Sequence, residues 1–170
     1  MIFKNPFPAF LFLGFFSIRC GAPRAIPSQS APSLEERLEK IKMTDLEGRP
    51  MRLKDFSGTA VFLNFWASWC GPCASEMTSI EKASRQFGDS IVFLALSNES
   101  PEQIEAFRKK NRLTFRFARL EATYLDVYVV TLPTTLLINA KGEVVAEEEG
   151  FQDWASPGNI EKLESLRASP

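Results

Sequence analysis

Histidine is absent from all 170 positions, and no other absence in this chain excludes as much chemistry. Ser-His-Asp and Cys-His nucleophile activation, histidine-ligated metals and imidazole acid–base catalysis all need that ring. Any reaction must therefore run on cysteine, carboxylates, lysine or backbone groups. An excess of one charge is also missing: 20 Lys and Arg against 21 Asp and Glu leave a net charge of -1. Without a basic face to displace counterions from phosphates, nucleic acid is excluded as a partner. Long apolar segments are lacking too, since the N-terminal run Phe7 to Ile18 has 12 residues where a bilayer-spanning helix needs ~20. Cysteine is limited to three positions. What remains, 45% hydrophobic residues, is enough to bury the core of one modest domain.

The aromatic residues are unevenly spread, six of the 15 Phe lying within the first 16 residues, so this segment must be separated before any fold argument. Lys4 precedes the short apolar run, and Arg19 and Cys20 follow it. A basic residue, a short apolar stretch and then polar chain is the layout of a secretory signal peptide, so residues 1–20 are excluded from the fold and the chain is expected to be exported to the cell envelope. Cys20 resembles in placement the lipidated cysteine of a bacterial lipoprotein and is a candidate lipidation site, although Arg19 stands where a small residue is expected. Residues 21–33, GAPRAIPSQSAPS, hold ten Gly, Ala, Pro or Ser among thirteen, which is the composition of a flexible linker. Without Lys4 and Arg19 the remainder carries 18 basic and 21 acidic residues, a charge of -3.

From Leu34 to the end, residues 34–170, short apolar runs alternate with helical patterns, the signature of an α/β domain. Leu34 to Ile41 reads as a short amphipathic lead-in, and Lys42 to Phe56 as a small hairpin turning at Glu47-Gly48-Arg49-Pro50. Ala60 to Trp66 is apolar at nearly every position and predicts a strand covered on both faces. Cys70 to Phe87 predicts a helix with Cys73, Met77, Ile80, Ala83, Ser84 and Phe87 on one stripe and Gly88 as its C-terminal cap. Ile91 to Leu96 predicts a second buried strand, and Pro101 to Arg112 a charged helix with Ile104 and Phe107 inward. Thr114 to Arg119 alternates like a strand, and Thr123 to Val129 is a short helix or turn. Thr134 to Asn139 and Glu143 to Glu147 form two strands joined at Ala140-Lys141-Gly142, where Gly142 can take a positive φ. A closing helix runs from Asn159 to Leu166.

The chemistry concentrates in Cys70-Gly71-Pro72-Cys73, which opens a helix directly after a buried strand. A structural zinc needs four ligands, and one distant further Cys with no His cannot complete the set, so no metal is expected. At a helix N-terminus the unpaired N–H groups and the positive end of the dipole favour thiolate over thiol at Cys70. Cys73, three residues on, can attack the mixed disulfide that Cys70 forms, and Pro72 starts the helix without losing a hydrogen bond. Cys70 is thus the nucleophile and Cys73 the resolving thiol, and the redox-active pair needs no cofactor.

FLNFWASWCGPC followed by TLPTTLLINAKGEVV resembles the thioredoxin superfamily, and within it the exported TlpA/ResA-like thiol–disulfide oxidoreductases, over about residues 42 to 168. The resemblance implies a thioredoxin-like fold, a central mixed sheet flanked by helices, here with an N-terminal hairpin extension. It implies that Pro133 is cis and packs opposite the cysteine pair, and that Leu132 offers backbone groups to an extended substrate. Proline is disfavoured inside a paired strand, so its place at the start of TTLLI independently marks a turn held for a purpose. Substrate recognition is then main-chain pairing with little sequence demand. Trp69 is expected to form the apolar surface around the nucleophile, with Gly71 and Pro72 also facing substrate, and Trp66 to sit in the core. Glu76 matches the buried acid of ResA-like members, held to influence thiol ionisation and proton transfer; the strand acid of cytoplasmic thioredoxins is here Asn64. The run Glu147-Glu148-Glu149 reads as the solvated end of a strand, while Gly150 resembles the family's loop glycine near the cis-proline.

The function expected from this reading is reduction of protein disulfides outside the cytoplasm, by a monomer fed with electrons from a membrane-embedded thiol carrier. Family analogy suggests the cysteines of apocytochrome c as substrate. A thiol peroxidase of peroxiredoxin type shares the fold but needs a P-x-x-x-T-x-x-C arrangement, which NFWASW before Cys70 lacks. A non-catalytic adaptor or copper-delivery module would keep a histidine or lose one cysteine.

Overall fold

The computed structural model describes residue 1 and residues 32–168. The expected signal peptide, Cys20 and all but the last two residues of the expected linker lie outside the described residues. From Pro32 onward the chain is one compact unit.

The elements in order are α1 (Leu34–Glu39), β1 (Met43–Thr44), β2 (Pro50–Met51), β3 (Ala60–Phe65), α2 (Gly71–Phe87), β4 (Ile91–Ser97), α3 (Pro101–Lys110), β5 (Arg116–Leu120), β6 (Thr134–Ile138), β7 (Val144–Glu149) and α4 (Pro157–Ala168). Short 3₁₀ turns at Leu53–Phe56, Gly88–Ser90 and Leu125–Val127 link them. The seven strands form one sheet in the order β2-β1-β5-β4-β3-β6-β7. β3, β4 and β5 run parallel, while β6, β7, β1 and β2 pair antiparallel to their neighbours. The sheet is therefore mixed as expected, and the hairpin of β1 and β2 extends it beyond β5.

Local sequence sets the helix ends. Ser33 and Glu36 form a capping box on α1, and Ser100 and Gln103 form another on α3, each satisfying two otherwise unpaired N–H groups. α2 starts from Cys70 as its N-cap with proline in the first turn and stops at Gly88, where φ is 53°. β3 is buried at all six positions, because three helices cover one face and α1 with the connecting segments the other.

Two parallel steps, β3 through α2 to β4 and β4 through α3 to β5, move in the same direction across the sheet. Right-handed crossovers then put both helices on one face. There Phe62 and Trp66 from β3 and its end pack with Met77 and Ile80 of α2, Ile104 of α3 and Leu163 of α4. The alternate β3 residues Val61, Leu63 and Phe65 point to the other face and meet Val127 and Val129 from the segment that returns from β5 to β6. Trp66 is a core residue, as expected, packed between Phe107 and Phe117.

The acidic end of β7 differs from its expectation as a merely solvated strand end. β7 is the edge strand, and its side chains alternate toward two helices: Glu147 takes a two-pronged pair with Arg37 of α1 at 2.6 and 2.7 Å, and Glu148 pairs with Lys162 of α4 at 2.6 Å. Gly150 follows with φ 78° and donates its N–H to the Pro133 carbonyl at 2.8 Å.

Candidate active site

β3 ends in the middle of the sheet, and the chain turns through 66–69 into α2. This places Cys70 at the N-terminus of a 17-residue helix with its backbone extended. Cys70 and Cys73 are joined by a disulfide. The Cys73 N–H donates to Cys70 Sγ at 3.2 Å, so the sulfur takes the place that a serine or aspartate oxygen holds in an ordinary cap. Reduction leaves that N–H and the helix dipole directed at Cys70 Sγ, and both stabilise a thiolate there. Cys70 is 6% exposed and Cys73 is fully buried; the first borders an open groove and the second does not. The inequality fits the expected roles of nucleophile and resolving thiol.

The groove, about 520 Å³, runs beside Cys70, Gly71 and Pro72 and is walled by Trp69, Val130 and Leu132. Trp69 is 72% exposed and Val130 74%, an apolar rim that water does not favour. Leu132 lines the groove and the Leu132–Pro133 bond is cis. Pro133 itself is buried one residue further on, tied through its carbonyl to Gly150. Among the described residues no group of three Cys, Asp, Glu or His side chains gathers to hold a metal ion.

Glu76 follows Cys73 on the same face of α2 by its three-residue spacing and is 1% exposed. The Trp154 indole N–H donates to Glu76 Oε1, while Oε2 has no hydrogen-bond partner. Burial disfavours the carboxylate and pushes its pKa up to about 7, against the opposing pull of the Trp154 hydrogen bond. A group that half-ionises near neutrality can take and return a proton at little cost. The helical stripe expected on α2 therefore includes two acids not placed on it from the sequence, Glu76 and Glu81. Glu81 is a different case. Burial raises its pKa, but hydrogen bonds from the Thr114 N–H and hydroxyl, and from Arg85, outweigh burial and hold it below the usual value. Asn64, at the strand position of the absent acid, donates to Thr135 Oγ1 at 2.9 Å and stays neutral.

Three further residues shape the site without having been singled out in the sequence. The Tyr124 hydroxyl donates to the Trp66 carbonyl at 2.5 Å. Glu99 accepts from the Ser68 N–H at 2.7 Å and the Ser68 hydroxyl at 2.5 Å. Together they tie down the turn between β3 and Cys70. Trp154, the third, had a legible signal: a single tryptophan in a polar loop must bury its ring somewhere and find an acceptor for its N–H.

A dithiol capping the helix after the buried strand β3, beside a cis-proline loop, defines a thioredoxin-fold protein. Residues 31–147 match the AhpC/TSA family. The thiol-disulfide oxidoreductase ResA of Bacillus thuringiensis subsp. konkukian is 35% identical over 145 residues, covering 79% of this chain and 84% of that one. The ResA protein of Bacillus cereus is 36% identical over 130 residues, covering 71% and 75%. Among solved structures, a putative thiol:disulfide interchange protein DsbE from Chlorobium tepidum superposes with a TM-score of 0.61 at 26% identity, covering 74% of this chain and 88% of that one. StoA from Bacillus subtilis superposes with a TM-score of 0.58 at 25% identity, covering 74% and 93%. The chain belongs to the AhpC/TSA family of thioredoxin-like proteins and is a thiol–disulfide oxidoreductase of the ResA-like group.

Proposed function

We propose that this oxidoreductase reduces protein disulfides outside the cytoplasm, drawing electrons from a membrane-embedded thiol carrier, with the cysteines of apocytochrome c as substrate. The observation that carries the reading is the division of labour at the dithiol: Cys70 borders an apolar groove, Cys73 is sealed behind it, and Glu76 lies buried one turn further along α2. The Cys70 thiolate attacks one sulfur of the substrate disulfide, forming a mixed disulfide and expelling the other sulfur as a thiolate. Cys73 gives its proton to the Glu76 carboxylate, attacks Cys70 Sγ, and releases the second substrate thiolate. The substrate gains two electrons, the protein is left with the Cys70–Cys73 disulfide, and the carrier dithiol restores it. Gly-Pro between the cysteines resembles the reducing thioredoxins, which supports this direction. Cys20, by its placement, would anchor the exported chain through lipid, and the protein would act as a monomer.

The test combines a trap with a potential. Cys73→Ser should accumulate mixed disulfides through Cys70 in an insulin-reduction assay, and the pair should titrate near about -270 mV, well below the about -120 mV of a strong oxidant. No trapped adduct, or consumption of hydrogen peroxide in its place, would overturn the exchange reading in favour of an adaptor or a peroxidase. Normal c-type cytochromes in a deletion strain would remove apocytochrome c as the substrate.

A further inference from the structure

Trp154 lies 78 residues from Glu76 in the chain, yet it is clasped to that turn of α2 at two points, Glu76 and Ser79. Its indole N–H reaches Glu76 Oε1, and its backbone N–H donates to Ser79 Oγ at 3.1 Å. The Ser79 hydroxyl in turn donates to the Glu76 carbonyl at 2.8 Å. The ring is wholly buried and meets Phe62 edge to face, centroids 4.7 Å apart. The loop carrying it is pinned as well: the Asp153 carbonyl accepts from Ser156 N–H at 3.0 Å and from Asn159 Nδ2 at 2.9 Å. Such fixation exceeds what filling a core requires, because a phenyl ring would pack there without an N–H to satisfy.

We infer that Trp154 is the positioning residue of the proton-transfer step: its indole N–H holds Glu76 by Oε1 and so assigns the moving proton to Oε2. This rests on the reading of Glu76 as the proton acceptor for Cys73. An indole N–H only donates, and the carbonyl oxygen of a neutral carboxyl accepts more strongly than its hydroxyl oxygen, so the bond at Oε1 favours the proton of neutral Glu76 on Oε2, the atom without a partner. When Glu76 ionises the same bond strengthens, since the acceptor is now charged. Among the described residues, burial and this hydrogen bond are what set the ionisation of Glu76. The nearest titratable groups by position are Cys70 and Cys73 at the start of the same helix, once reduced, and Asp153 next to Trp154 in the chain, whose Oδ1 is turned to the Ala155 N–H at 3.0 Å.

Trp154→Phe keeps the ring and removes the donor. In the full chain, the pH profile of disulfide exchange should inflect near 7. In Trp154→Phe the inflection should move up by about one to two pH units, the worth of one hydrogen bond to a charged group. Glu76→Gln, alone or combined with Trp154→Phe, should abolish it. If Trp154→Phe slows exchange or lowers the melting temperature while the inflection stays in place, the ring is structural and the inference is wrong. An inflection that survives Glu76→Gln brings down the reading of Glu76 itself. The wild-type protein supplies a check that does not depend on the variant folding: in the disulfide form, where neither active-site thiol titrates, the Trp154 indole ¹H–¹⁵N signal should shift with a midpoint near 7 and lose that shift in Glu76→Gln. A pH-insensitive wild-type signal overturns the inference.

Discussion

Cys70 owes its position to side chains that do no chemistry themselves. Ser68, two residues before the nucleophile, gives both its N–H and its hydroxyl to Glu99, and Ser97 adds its own hydroxyl to the same carboxylate at 3.0 Å. One carboxylate thus gathers three donors from two strand ends that the sheet holds side by side. Tyr124 completes the support by donating to the Trp66 carbonyl. Its half-buried hydroxyl stays protonated, burial raising its pKa despite the hydrogen bond from the Asn98 N–H. Removing the acceptor should be felt at the turn: Glu99→Ala leaves the Ser68 donors without their partner. The expected loss is about 1–3 kcal/mol of stability, measured by urea unfolding, with slower exchange at every pH. Because Glu99 does not act on the proton of Glu76, the inflection of the pH profile should stay where it is.

At the scale of elements, the least self-sufficient piece is α1, six residues long and far too short to form alone in water. Its capping box ties only its own first turn, so its hold on the domain rests on Leu38 against the sheet and on Arg37 with Glu147. Both partners of that ion pair are mostly buried and the geometry is two-pronged, which lifts it above an ordinary surface pair. Arg37→Ala should raise hydrogen exchange and proteolysis at α1, with overall stability down by about 1–2 kcal/mol and disulfide exchange unchanged. The order and type of the elements were legible because their signals are local: continuous apolar runs for β3 and β4, a cap before α2 and proline in its first turn, glycine after it. The dithiol was legible for the same reason, its strand–turn–helix setting lying within some twenty residues of chain. Glu76 was visible by family resemblance, but its partner was not. Trp154 reaches it only because β6 and β7 carry the chain back across the sheet to α4, and no spacing rule encodes a contact between residues so far apart. The pairing of Glu147 and Glu148 was hidden likewise, since the helices on either side of an edge strand are set by topology.

For the whole molecule, the same buried acid that serves the chemistry should govern how stability depends on pH. Glu76 moves from an ordinary 4.5 to about 7 on folding, so between those values the folded state keeps a proton that the unfolded chain gives up. Stability from this group is full below 4.5 and falls as pH rises toward 7, by about 3 kcal/mol in all. Glu81 works in the opposite sense: its pKa is held below 4.5 in the fold, so its contribution is present above that pH and fades in acid. The two together place the stability maximum in mildly acidic solution and predict a decline toward pH 8. Glu76→Gln should flatten the alkaline side and raise the melting temperature at pH 8 by on the order of 5–10 °C, while the indole N–H keeps an amide oxygen to bond. An acid present only to hold the fold together would give the reverse, a variant less stable than the parent at neutral pH. Thermal unfolding of the parent and Glu76→Gln from pH 4 to 9 separates the cases. A parent curve that stays flat from 5 to 8 would show that Glu76 is already ionised in the fold, and the carboxyl could not then exchange protons with Cys73 near neutrality.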